Sequence, residues 1–134
     1  MSAMINGASK DELIAKIAKE IAASERLDPA WKSLSMVFTF DDDSLSNFGY
    51  YYTGDGSSDW SAFSSRSDQL NDDLTRLRQV MKDESNASWH QGLFQLVRDK
   101  REMTFEFTYD GETRWKVTPG NLDQMVQALR PRAR

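Results

Sequence analysis

The chain has 134 residues, and its 17 basic and 21 acidic side chains leave a net charge of −4 at pH 7. That length fits one domain able to bury a core of its own, and 39% hydrophobic and 28% charged residues exclude a disordered or fibrous chain. With no cysteine and one histidine, His90, a disulfide framework, a thiolate or multi-histidine metal centre and a thiol nucleophile are excluded as well.

Residues 1–8 and 131–134 read as flexible ends of one domain over residues 9–130. Ser9 and Glu12 have capping-box spacing. Leu13, Ile14, Ile17, Ala18 and Ile21 make one apolar stripe, which predicts a helix ending near Ser24. Leu34, Met36, Phe38 and Phe40 then alternate with Ser33, Ser35, Val37 and Thr39, the period of a strand with one face on a core. Residues 41–47 read as a turn. Phe48–Thr53 reads as a second strand, with Tyr50 and Tyr52 on one face and Tyr51 on the other. A loop over residues 55–60 leads to a short third strand around residues 60–64.

Helical spacing returns with Leu70, Leu74, Leu77 and Met81. Ser67 is the expected N-cap, and Asp68, Asp72 and Asp73 stand in the first turns, where exposed amides favour negative charge. Leu93–Val97 and Met103–Tyr109 are the next strands. Asp110-Gly111 is a two-residue hairpin signal, so Arg114–Val117 is expected to return as a further strand with Arg114 across from Glu106 or Thr108. Thr118-Pro119 opens a last helix with Leu122, Met125, Val126 and Leu129 on its apolar face, and Pro131 stops it. The order α-β-β-(β)-α-β-β-β-α describes an α+β domain: one largely antiparallel sheet, helices covering one face, and Ile17, Phe38, Leu74, Phe105 and Phe107 in the core.

Charge is unevenly placed. Residues 1–40 are neutral, residues 41–73 carry eight acids against Arg66, and residues 74–134 carry a net +3. An acidic surface repels nucleic acid and attracts basic proteins. It also keeps a protein soluble, and helix capping alone accounts for Asp68, Asp72 and Asp73. The loop carboxylates Asp41, Asp42, Asp43, Asp55 and Asp59 are therefore the candidate partner-binding groups, with Tyr51 and Trp60 as candidate aromatic anchors.

Enzyme signatures are weak. The run Asp41–Asp43 lacks the spacing of a calcium loop. The glycines are scattered singly apart from Gly54 and Gly56, and no phosphate-binding loop is formed. A serine nucleophile would have His90 as its single available base. Asp55 and Asp59 near Trp60 leave one other option, a small enzyme or ligand-binding domain built on the Tyr/Asp-rich region. No catalytic, cofactor or metal residue is assigned. No apolar run is long enough to span a membrane, and the first residues lack the pattern of a signal peptide, so the expected location is the cytoplasm.

Nearly the whole chain, roughly residues 11–130, resembles the YezG-like bacterial immunity proteins. The resemblance rests on the helix ELIAKIAKEI, the Trp-initiated strand in PAWKSLSMVF, the tyrosine-rich NFGYYYTGDG, the helix DDLTRLRQVMKDE, the strand WHQGLFQLVR and the closing MTFEFTYDGETRWKVTPGNL. It implies an α+β single domain without catalytic residues or cofactor. It also implies an antitoxin role in polymorphic-toxin or contact-dependent growth inhibition systems, and a cognate toxin domain, often a nuclease, as partner. Neither nucleic acid nor a membrane is expected as a direct partner. A secretion chaperone or adaptor is the alternative binding role. The sequence leaves the oligomeric state open.

Overall fold

The elements follow in the order α1 (Lys10–Ala22), β1 (Ser33–Asp41), β2 (Ser44–Tyr52), β3 (Trp60–Phe63), α2 (Asp68–Ser85), β4 (Gln91–Val97), β5 (Glu102–Thr108) and α3 (Leu122–Ala128). They are taken from a computed structural model that describes residues 10–131 except 43, 55 and 57. The strands form one sheet in the order β3-β2-β1-β4-β5, antiparallel at every pair. The architecture is the expected α+β domain with helices packed on an antiparallel sheet.

One sheet face carries the alternating residues Leu34, Met36, Phe38 and Phe40 of β1 with Phe94 of β4, and α1 and α2 close over it. Leu13, Ile17 and Ile21 come from α1 and Leu70, Leu74, Leu77 and Met81 from α2, all buried in the same cluster. Ser67 caps α2 as expected, its hydroxyl accepting from the Leu70 amide at 3.1 Å. Asn86 ends the helix in a left-handed conformation. Gly49 is needed where β2 passes β1, because a Cβ there would stand 2.5 Å from the Ser35 carbonyl oxygen. Phe105 and Phe107 pack against this cluster but are half-buried, not central, since β5 is an edge strand.

The opposite face, expected to be open, is covered as well. Residues 113–118 and α3 lie across it, and Trp115, Val126 and Leu129 bury Val37, Tyr50, Tyr52 and Leu93. The expected strand Arg114–Val117 does not form, and the reason is Gln91. Its side-chain amide donates to the Trp115 carbonyl at 3.0 Å, and its amide oxygen accepts from the Trp115 N–H at 2.9 Å. That amide replaces a strand partner, satisfying both main-chain groups of Trp115 above the sheet rather than beside it. The turn itself forms as the sequence indicates. Asp110 and Gly111 both have positive φ, and the Glu112 N–H reaches the Tyr109 carbonyl at 3.1 Å.

Other boundaries shift for local reasons. β2 begins at Ser44 rather than Phe48, because Asp41 pairs with Ser44 and the turn shrinks to two positions, with Asp42 at φ 55°. The last helix begins at Leu122, not at Pro119. The Asn121 side chain holds the preceding turn closed, accepting from the Thr118 N–H at 2.6 Å and donating to the Lys116 carbonyl at 3.0 Å. Ser9 lies outside the described residues, as do residues 1–8 and 132–134 of the expected flexible ends.

Candidate partner-binding surface

The β-ladder decides which of the candidate carboxylates can act together. Asp41 and Asp42 sit at the β1–β2 turn, whereas Asp59 precedes β3, whose Trp60 pairs with Tyr52 at the far end of β2. The two ends of that ladder are eight residue steps apart, roughly 27 Å. The acidic stretch of sequence is therefore not one surface. Asp43 and Asp55 lie outside the described residues.

The two ends also differ in what the carboxylates do. Asp59 is turned onto its own loop, its Oδ2 accepting from the Gly56 N–H at 3.1 Å. Arg130 closes the same loop by donating to the carbonyls of Gly54 at 2.7 Å and Gly56 at 2.9 Å while lying over the Tyr52 ring. Asp59 thus braces a turn. Asp41 and Asp42 are exposed.

The aromatic candidates fall on opposite faces. Tyr51 is half-buried on the helical side, its ring 5.8 Å from that of Phe63. Trp60 is half-buried on the other side, edge-on to Tyr50 at 5.4 Å. Tyr50 and Tyr52 are buried. Burial pushes the Tyr52 phenol up to about 12, so it remains a donor, and its hydroxyl binds the Val126 carbonyl at 2.6 Å. A hollow of about 560 Å³ beside Trp60 is lined by Ser58, Asp123 and Gln127. Asp59 does not line it, so the Asp–Trp pairing suggested by the sequence is not formed there.

A different set of groups meets at the β1–β2 turn end. Thr39, Gln91 and Thr108 lie side by side across β1, β4 and β5. The residues just beyond them, Asp41–Asp42 and Asp110–Glu112, therefore flank one end of the sheet about two strand spacings apart, roughly 10 Å. Asp41, Asp42, Asp110 and Glu112 are all exposed. Arg114 offsets part of this charge, 3.2 Å from Glu112 and 3.9 Å from Glu106. His90 sits in the same row, its Nε2 3.1 Å from the Thr113 hydroxyl. Asp110 and Glu112 were missed in the sequence because they lie far along the chain in a stretch of positive net charge. The strong turn signal at Asp110-Gly111 was the clue to them.

A second acidic feature is internal. Asp73 of α2 is buried, and its Oδ1 accepts from the Lys16 ammonium and the Gln69 amide, each at 3.2 Å. Its Oδ2 and the Glu20 Oε2 are both buried, and the two carboxyl groups shift each other's ionisation. Burial raises Glu20, the bond to Asp73 and its charge raise it further, and the group reaches about 7 against the opposing Lys16 charge. Burial also pushes Asp73 upward, but hydrogen bonds from Glu20, Lys16 and Gln69 outweigh it and leave it below its ordinary value.

No cluster of three or more metal-ligating side chains occurs among the described residues, and none of the described helices is long and apolar enough to cross a membrane. The chain matches no protein-family model and no curated protein.

Proposed function

We propose that the protein is an immunity protein that binds a cognate bacterial toxin domain, a nuclease with a basic substrate surface, and neutralises it by covering that surface. The carboxylate row Asp41, Asp42, Asp110 and Glu112 supports this reading. Carboxylates held on tight turns at one end of a rigid sheet offer a preset complement to lysines and arginines that otherwise hold phosphates, and they accelerate encounter with such a surface. The diffuse resemblance to YezG-like immunity proteins points to the same role.

The test is binding to the toxin domain encoded beside this protein's gene, at low and high salt. Reversing Asp41 and Glu112 to Lys is expected to raise the dissociation constant by about tenfold or more, mainly through slower association at low salt. Asp59→Lys, at the far end of the sheet, is expected to change it by less than about twofold. Equal affinity for wild type and the double reversal at both salt concentrations would remove the carboxylate row from the interface.

A further inference from the structure

β5 is an edge of the sheet, hydrogen-bonded to β4 on one side. An edge strand offers a row of main-chain donors and acceptors to another strand, and proteins commonly guard it with charged side chains, lysine above all, or with proline. β5, with the sequence EMTFEFT, has neither lysine nor proline, and its charges are Glu102 and Glu106. Met103, in this strand, is the large hydrophobic side chain that stands out among the described residues, at 41% exposure. Phe105 and Phe107 on the same face are incompletely covered. The flanks carry opposite charge. Lys100 and Arg101 precede the strand and Asp110 follows it, all exposed.

We propose that β5 pairs antiparallel with β5 of a second copy of this chain, centred on Phe105, so that two five-stranded sheets become one of ten strands. Two-fold symmetry about Phe105 keeps each side chain on its own sheet face. It sets Glu102 opposite Thr108, Met103 opposite Phe107 and Thr104 opposite Glu106. Beyond the strand ends both chains turn away, with Arg101 at φ 53° and Asp110 at φ 58°, so the cationic turn at Lys100 and Arg101 of each chain comes near the acidic turn at Asp110 of the other without continuing the ladder. The neighbouring registers are repelled. Centring on Thr104 sets Glu102 against Glu106, and centring on Glu106 sets that carboxylate against itself, and like charges directly opposite destabilise a pair. Charge therefore selects the register, and the apolar row Met103, Phe105 and Phe107 supplies the packing. Seven residues a side bury less than the roughly 800 Å² per partner of a stable complex, so the dimer is weak.

Sedimentation tests the pairing. The average mass of the wild type is expected to rise toward twice that of one chain between about 5 and about 500 μM. Met103→Lys places an ammonium opposite Phe107 of the copy at an exposed position. It is expected to stay monomeric over that range with an unchanged circular dichroism spectrum. It also leaves the carboxylate row intact, so toxin binding and self-association are read separately. Because the chain has no cysteine, the register can be read by oxidation. Directly opposed residues lie within disulfide reach, so an equimolar mixture of Thr104→Cys and Glu106→Cys is expected to cross-link about tenfold faster than either alone. A constant single-chain mass, a dimer that survives Met103→Lys, or no preference for the 104–106 cross-link would each overturn the proposal.

Discussion

Glu20 and Asp73 make the α1–α2 contact sensitive to pH, in opposite directions at the two ends of the scale. Glu20 titrates at about 7 in the folded chain against an ordinary 4.5, so the folded state holds a proton that the unfolded state has released. Its contribution to stability is complete below pH 4.5 and is lost as pH rises through about 7. Asp73 is held below its ordinary 3.8, so its contribution is present above that value and is lost as pH falls through the depressed one. The helix contact is therefore strongest in mildly acidic solution. Glu20→Gln supplies a permanent donor to the Asp73 carboxylate and removes the alkaline loss. Relative to wild type, the variant is expected to gain on the order of 1–2 kcal/mol between pH 5.5 and pH 8.5, a figure kept small because Glu20 is only partly shielded from water. Urea midpoints of both proteins at the two pH values check this, and parallel shifts would mean that Glu20 is not held above its ordinary value. The sequence did not disclose this pair, because Asp73 has an ordinary helix-dipole explanation and nothing local places Glu20 against it.

At the scale of elements, a strand was most legible where one face was apolar and the other was not. β5 shows it most clearly, since Met103, Phe105 and Phe107 alternate with Glu102, Thr104, Glu106 and Thr108. The return after Asp110-Gly111 was misread because a hairpin turn specifies a reversal of direction but not the pairing that follows. Gln91 decides that pairing from outside the segment, and a glutamine in a strand reads as a wet residue. Val37, apolar in the phase expected to face water, was the signal that the second face is covered. The Gln91 clamp has a measurable consequence. Gln91→Leu keeps the volume but strips the buried Trp115 N–H and carbonyl of their partner, and each such group costs about 1–3 kcal/mol. Unfolding is expected to be easier by about 2–4 kcal/mol, with faster amide exchange at Trp115. A variant as stable as wild type, with Trp115 still protected, would show that the cover is held by its apolar contacts alone.

For the whole molecule, the sheet is shared between two apolar clusters, and the candidate surface follows from the topology more than from the chain. Asp41 and Asp110 are brought to one end of the sheet by β1, β4 and β5, whereas Asp59, close to Asp41 in sequence, is carried to the other. Composition could reveal the acidic excess but not this partition, which depends on strand order. The same topology determines how the molecule should unfold. β1, β2 and β4 line both clusters, Phe38 on one face and Val37 on the other. Residues 113–131 are tied to those strands by Tyr52 to Val126, Gln91 to Trp115, Gln95 to Leu129 and Arg130 to the loop after β2. Removing the cover would expose Val37, Tyr52 and Leu93 on strands that also carry the first core, so neither layer is expected to persist without the other. Since the chain has no cysteine, one can be placed at exposed Arg76 of α2 or exposed Gln124 of α3 and labelled with an environment-sensitive dye. Both labels are expected to report the same urea midpoint and the same slope, as a single cooperative transition requires. An earlier transition at position 124 would make the C-terminal cover a separately unfolding unit, and its bonds to β2 and β4 would then be too weak to couple the two faces.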